Sequence, residues 1–544
     1  MERNMADTIF TNGRIYTVDS KRSWADSVAI KGNKIIGVGT KAEIECYEAS
    51  TTEVVDLNQR MMLPGLIEAH AHPIMAGFFK SCLVVDVRQS VEEVLKEVEK
   101  YIKENPERDV YFGQGYSEWM FDSNGPQKEL LDKICSEKPV LLIGAGLHSG
   151  WCNSKALEVA KITRDTLDPD PGAQFFRRKS DGTPNGSLVE FAPVFAVIDA
   201  IKPFNEKDIK NSIQRVSSEY SAAGVTSIQD SGSEEYMANM GRPMIIDLLN
   251  NKKLRQRIRS CEFVSMIDSV DGAILRTLEA KKEYNSDYFS VDYLKIINDG
   301  AFEARSAALL EPYEDGTIIH PMLEGGKLQS LCLEAAAAGL DIAVHAIGDW
   351  TTRETLNMAQ KLREKGFTEN RIANIHCIYI ADEDLDRFAE YDVIANTTAI
   401  WHHENKAKEE IIGYERANKN FLMNSLYKKD VTITFGSDYP ADEYGKEPLK
   451  GIEMGVTRQM YGVPEDPILP PYSERLTVKK MIEGYTINAA YQMRMEDKIG
   501  SIEVGKYADF VVLEDNLFEI DAHDIHNVRV DMTIFDGDIA YLRE

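Results

Sequence analysis

Apolar residues recur in short β-type runs at both ends of this chain, and in a strand–helix alternation between them. From residue 8 to 57 the runs are broken by turn pairs: Thr8-Ile-Phe-Thr, Asn12-Gly13, Arg14-Ile-Tyr-Thr-Val, then Ser27-Val-Ala-Ile, Lys31-Gly32-Asn33 and Lys34-Ile-Ile-Gly-Val. The last three read as a hairpin. At the other end Asp509-Phe-Val-Val-Leu513 and Val528–Phe535 read as strands, with Asp536-Gly537 as a turn. Neither end has enough strands to bury a sheet face alone. The pattern predicts one small β-sandwich assembled from residues 1–62 and 497–544.

Between the ends, strand-like runs alternate with helical patterns, the signature of a parallel α/β architecture. The runs are Leu66–His72, Gly224–Asp230, Arg257–Phe263, Tyr293–Asn298, Asp341–His345, Ile372–His376, Val393–Asn396 and Thr432–Asp438. Eight is the count for a (β/α)8 TIM-like barrel, here built from residues 63–79 and 211–496. Residues 80–210 interrupt the pattern after the first strand and read as an inserted subdomain. Its helix, Ser90 to Glu104, opens on a Ser90-x-x-Glu93 capping box and carries Val91, Val94, Leu95, Val98 and Ile102 on one face. Val110-Tyr-Phe-Gly and Pro139–Ile143 are its strand candidates.

The polar exceptions within these apolar runs hold the chemistry. Leu63-Pro-Gly-Leu-Ile-Glu-Ala-His70-Ala-His72-Pro73 ends in two histidines spaced i, i+2, which in a strand share a face and can converge on one metal ion. Lys295, His345, His376 and Asp438 lie in or at the ends of later runs, where barrels of this type carry their active sites. Each has a dull reading. A lone strand-end histidine is more often a satisfied polar group, and Asp438 before Tyr439-Pro440 could cap a turn. Lys295 is stranger, since a lysine in an apolar strand must neutralise, pair or be modified. Six such residues at five strands together predict a metal-dependent hydrolase.

Composition narrows the class. With 544 residues, 43% hydrophobic and 28% charged, the chain suits an ordinary soluble protein with a large core. A net charge of −27 argues against nucleic acid or an anionic membrane as partner, and is more simply a solvated acidic surface. The first residues, Met1-Glu-Arg-Asn-Met-Ala-Asp, lack the apolar core of a signal peptide, and no run is long enough to span a bilayer. Seven widely spaced cysteines without a C-x-x-C pair fit reduced thiols, and a cytoplasmic location is expected.

Several stretches resemble the amidohydrolase superfamily, in the family-3 branch that includes N-substituted formamide deformylase. They are Leu63–Pro73, Gly224–Asp230, Lys295-Ile-Ile-Asn-Asp-Gly300, Ser306–Tyr313, Val344-His-Ala-Ile-Gly-Asp349, Gly436-Ser-Asp-Tyr-Pro440 and Gly500–Asp509. His148-Ser-Gly-Trp-Cys-Asn-Ser resembles the branch's own His-x-x-Trp-x-Asn-Ser motif. The resemblance implies one or two divalent metal ions, with zinc expected. His70 and His72 would bind the first and His345 and His376 the second, bridged by a carbamylated Lys295. Asp438 would ligate the first metal and shuttle the proton of a metal-bound hydroxide to the leaving nitrogen.

His148 would polarise the substrate carbonyl from a lid formed by the insertion, or only tie the insertion to the barrel through a backbone carbonyl. Asp349 would orient an imidazole or cap a helix. Trp119, Trp151, Phe302 and Trp401 are candidate pocket residues, although aromatics are more often core. Three departures touch the pocket and spare the metal residues: Ile375 where the branch has Glu, Gly146-Leu147 where it has Asp-Gly, and Ala301-Phe-Glu-Ala304 in place of a Ser-rich stretch. The implied reaction is cleavage of a C–N bond in a small amide, N-formyl or N-acyl compound, in a possible homodimer. A mononuclear deaminase of a cyclic amidine, working without a bridging lysine, is one alternative. A non-catalytic regulatory protein that keeps the fold is another.

Overall fold

The computed structural model describes residues 5–169, 174–302, 304–403, 406–442 and 446–544; Met1–Asn4 and Glu303, quoted above, lie outside them. Eight parallel strands form one sheet in chain order: Leu66–Ala71, Val225–Asp230, Arg257–Val264, Phe289–Ile297, Asp341–Ala346, Ile372–His376, Val393–Thr398 and Ile433–Gly436. All eight coincide with the expected runs to within a few residues. The sheet curls until its edges meet. Asp438 N donates to His70 O and His72 N donates to Tyr439 O, both at 2.8 Å, just beyond the eighth strand. Gly436 makes this approach possible, because a Cβ there would lie 2.5 Å from both the backbone N and the Cβ of His70.

The barrel is filled, not hollow. Cys261, Tyr293, Ala343, Ala373, Ile375 and Ile394 pack as one buried cluster contributed by strands three to seven. The helix Ile487–Gln492 ends in Gln492, whose amide nitrogen donates to Ala69 O (2.8 Å) and Gln229 Oε1 (2.7 Å). Its amide oxygen accepts from Thr434 Oγ1 at 2.6 Å. One side chain thus ties strands one, two and eight with its hydrogen-bonding capacity used.

The insertion folds around its own six-stranded mixed sheet, in the order Phe175–Arg178, Pro184–Val189, Ser149–Cys152, Val140–Gly144, Tyr111–Tyr116, Leu83–Val84. The helix Val91–Glu104 covers it, with the capping box formed as expected and Val94 and Val98 packed against Tyr116, Val140 and Trp151. Both chain ends build the sandwich. Its four-stranded sheet runs Lys34–Gly39, Ser27–Lys31, Thr8–Thr11, Glu53–Asp56. Its six-stranded sheet runs Asp538–Leu542, Val530–Phe535, Phe510–Leu513, Met61–Pro64, Arg14–Tyr16, Trp24–Ala25. Leu63 and Pro64 therefore pair within the sandwich, two residues past the expected boundary, because the strand pairs on until Gly65 redirects the chain into the barrel. All seven cysteines are free thiols, and among the described residues no helix is long and apolar enough to cross a membrane.

Sandwich and barrel are joined through Arg257, at the start of the third barrel strand. Its guanidinium is fully buried, donates to Asp509 at 3.0 Å and Asp536 at 2.7 Å, and lies 3.9 Å from the Tyr507 ring centroid. Removing one member of a buried ion pair leaves the other desolvated and uncompensated, at a cost of about 3–5 kcal/mol. Arg257→Met should lower stability to urea by that amount, and adding Asp509→Asn should recover part of the loss. A cost below about 1 kcal/mol would show that the join does not depend on this pair.

Candidate metal centre

The six polar residues singled out in the sequence meet at the C-terminal mouth of the barrel. Simple alternation brings Lys295 and His345 there, two residues on from the interior Tyr293 and Ala343, but not the others. The first strand carries an extra residue against the second, Ile228 pairing with Glu68 and Asp230 with Ala71, so its alternation is broken at the histidine pair. In the sixth strand the interior positions are Ala373 and Ile375, and the register partner of His345 is Ile375. His376 is one residue out of phase. A left-handed backbone, φ +76°, turns its ring into the mouth, with its centroid 4.4 Å from that of His345. Asp438 also has a left-handed φ of +58°, held by the two seam hydrogen bonds on either side of it. Such conformations in non-glycine residues cost on the order of 1–3 kcal/mol and persist only where the surroundings impose them.

The nitrogens are oriented from behind. His72 Nδ1 lies 2.7 Å from Gly232 O, which can only accept, so Nδ1 carries a proton. His70 Nδ1 is 2.8 Å from Ser231 Oγ. Both Nε2 atoms then face one oxygen of Asp438, at 3.1 Å from His70 and 3.2 Å from His72. On the other side His376 Nε2 and His345 Nδ1 approach to 3.0 Å. His70, His376 and Asp438 each offer a ligand atom within 4.8 Å of the others.

Protonation states follow from burial. Desolvation holds His70 and His345 well below the usual histidine range and pushes His376 down to about 3, so all three are neutral. Burial would raise Asp438, but hydrogen bonds from the His70 and His72 rings outweigh it and keep the carboxylate ionised. Lys295 is completely buried, its Nζ has no hydrogen-bond partner among the described residues, and desolvation brings it down to about 8. His345 Nε2 and His376 Nδ1 are likewise buried without partners. Neutral imidazoles with free lone pairs, an ionised carboxylate and a readily deprotonated amine make a donor set that fits a divalent metal ion.

The remaining expected residues divide. His148 reaches the mouth, its ring centroid 6.0 Å from that of His345, and its Nδ1 pairs with Glu190 Oε2 at 2.6 Å. Burial opposes its charge, but Glu190 lifts it to about 9. Trp401 stacks on His376 at 5.5 Å and donates to Asp442 at 3.2 Å. Phe302 is buried in the same apolar cluster that Trp401 packs against. Trp119 is half-exposed and lines, with His148, a cleft of about 540 Å³ between insertion and barrel loops.

One expectation is corrected and one is narrowed. Trp151 is a core residue of the inserted sheet, fully buried against Tyr116 and Phe121, and its indole is satisfied by Gln127 O at 3.0 Å. Asp349 meets no imidazole among the described residues; it sits at the start of the helix Asp349–Glu364, the other role offered for it, and accepts from Leu310 N at 2.9 Å. The carboxylate beside His345 Nε2 is Asp299, at 3.7 Å, positioned by the amides of Ile347, Gly348 and Ala308. It stood in the quoted Lys295–Gly300 stretch, but no spacing rule marked it. Ser231, Gly232 and Glu190 were also missed, since hydroxyl, carbonyl and lone-carboxylate partners leave no motif. His402 is buried, with its ring 4.3 Å from that of Phe421.

A graded loss of metal affinity is expected along this chain of contacts. His72→Ala removes a donor and should weaken divalent-ion binding by at least about 100-fold, whereas Ser231→Ala only frees a ring and should cost about 10-fold. Chelator competition on both variants measures this; unchanged affinity in His72→Ala would count against the assignment.

Comparison with known proteins agrees with the geometry. A model described as "Amidohydrolase family" matches residues 53–541. The putative amidohydrolase YtcJ of Bacillus subtilis (strain 168) is 27% identical over 98% of this chain and 99% of its own. N-substituted formamide deformylase of Arthrobacter pascens is 24% identical over 99% of each. Among solved structures, an uncharacterized metal-dependent hydrolase from Pyrococcus horikoshii superposes with a TM-score of 0.74 at 21% identity, covering 95% of this chain and 99% of that one. With the family match running over nearly its whole length, the chain belongs to the amidohydrolase family.

Proposed function

We propose that this protein hydrolyses a C–N bond in a small amide, N-formyl or N-acyl compound. The observation that carries the reading is the set of neutral histidines, ionised Asp438 and unpartnered Lys295 gathered at one barrel mouth. His70, His72 and Asp438 would hold one divalent ion, with zinc suited to such nitrogen and oxygen donors, and His345 and His376 a second. Lys295, deprotonated more readily than an ordinary lysine, could take up CO₂, and its carbamate would supply a carboxylate where the apolar strand otherwise offers a lone amine. The deformylase relative supports C–N cleavage as the reaction class.

When bound, a divalent ion supplies Lewis acidity that activates a water and polarises a carbonyl. The chain's own groups do the rest. Asp438, ionised and aimed into the mouth by its backbone, accepts the proton of the attacking water and returns it to the departing nitrogen. His148 keeps Nδ1 on Glu190, which leaves Nε2 to donate to the carbonyl oxygen as negative charge gathers there. Trp401, stacked on His376, shields one side of the site from water.

The metal-loaded protein should turn over members of a panel of N-formyl and N-acyl amines, and lose that activity in chelator. Activity that survives complete metal removal would overturn the reading. Lys295→Ala should be nearly inactive and partly rescued by short carboxylic acids, and ¹³CO₂-treated wild-type protein should show a carbamate carbon resonance that the variant lacks. An unmodified lysine in the fully active enzyme would favour a mononuclear deaminase. His148→Ala should keep its metal while kcat falls by roughly 10²; an unchanged kcat would remove His148 from the chemistry.

A further inference from the structure

Glu190 stands out by its backbone and by where its carboxylate goes. It directly precedes the helix Phe191–Ile201, yet its side chain caps nothing there. Its φ of +65° with ψ −179° is a region that residues with a Cβ rarely occupy, at a cost on the order of 1–3 kcal/mol. It is also nearly inaccessible to solvent, at 4% exposure. The sequence motifs assigned it nothing.

Both carboxylate oxygens are committed, to different parts of the fold. Oε2 accepts from His148 Nδ1 at 2.6 Å, and Oε1 accepts from Ser306 Oγ at 2.5 Å. The hydroxyl's other acceptor, Ala301 O, is more distant at 3.3 Å. His148 and Glu190 extend the antiparallel register in which Ser149 faces Val189, and Glu190 N donates to His148 O at 2.8 Å. The pair is thus prebuilt within the insertion. Ser306, by contrast, lies on the loop that follows the fourth barrel strand, and that loop is itself fixed to the mouth: Ala308 N donates to Asp299, and Ala308 O accepts from Trp350 N.

We propose that Glu190 is the positioning residue of the active site, holding the His148 ring over the barrel mouth with one carboxylate oxygen while Ser306 anchors the other to the barrel. An imidazole with two free torsions would otherwise sample several orientations, and a donor helps a transition state only if its direction is set beforehand. The anchor explains the strained backbone. This inference rests on the reading that His148 donates to the substrate carbonyl.

The test compares Glu190→Gln, His148→Ala and the double variant, each loaded with metal and assayed on the best substrate of the panel. Glu190→Gln should retain its metal content and a KM within about threefold, while kcat falls by roughly 10- to 100-fold. The double variant should be no worse than His148→Ala, because a residue acting through another has no effect once that other is gone. Glu190→Asp, too short to reach both partners, should fall between wild type and Glu190→Gln. Ser306→Ala, which keeps the charge and loses the anchor, should reduce kcat with KM and metal intact, and it serves if Glu190→Gln folds poorly. Additive losses in the double variant, or loss of metal in Glu190→Gln, would overturn the positioning role. A wild-type kcat in Glu190→Gln beside a reduced one in His148→Ala would overturn it while leaving His148's role standing. A wild-type kcat in His148→Ala would overturn both.

Discussion

The seam where the eighth barrel strand meets the first governs the rest of the site. Two backbone hydrogen bonds cross it, from Asp438 N to His70 O and from His72 N to Tyr439 O, and they leave Asp438 in a left-handed conformation between them. Closure of the sheet and aim of the carboxylate are therefore one event. The seam tolerates no side chain at Gly436, because the His70 backbone and Cβ occupy the place a Cβ would take. A barrel that opened here would lose its edge pairing and separate the two histidines from Asp438 together. Fold stability and ligand geometry are coupled through the same few backbone atoms.

Dehydration at the mouth then decides charge. A low-dielectric environment penalises every ionised group, yet it acts oppositely on bases and acids. For the buried histidines the penalty removes the proton and exposes a lone pair. For Lys295 it lowers the cost of the neutral amine. Asp438 resists through hydrogen bonds from the His70 and His72 rings, and His148 resists through Glu190. The outcome is that His70, His345, His376 and Asp438 are already in the protonation states that metal ligation requires.

The three structural units meet the barrel differently. The sandwich is fastened by a fully buried guanidinium between two aspartates, a contact far from the mouth that bears on stability. The insertion reaches the mouth itself through His148 and Glu190, with Ser306 receiving it on the barrel side. Motion of the insertion would bear on chemistry, whereas the sandwich serves as a base.

Periodicity and composition were enough to lay out the architecture: eight apolar runs with intervening helices, terminal β-runs too few to stand alone, and a capped helix within an interruption. The residues of the mouth were legible for a related reason. A histidine, lysine or aspartate in or beside a buried strand contradicts its surroundings, and six such contradictions in one fold are hard to reconcile without a shared purpose. Where those side chains point was not legible. His376 is out of phase with the interior face of its strand, and the first strand breaks alternation at His70, so a period-two argument holds for Lys295 and His345 but not for these two. Trp151 and Asp349 carried motif resemblance and serve packing and a loop contact instead, while Asp299, Ser231 and Glu190 support the site with no motif of their own. Local sequence determined which residues are anomalous in their strand. Only the tertiary structure could decide their partners, because hydrogen bonds such as Glu190 to Ser306 join residues far apart in the chain, and left-handed backbones are imposed by the closure of the sheet and the docking of neighbouring units.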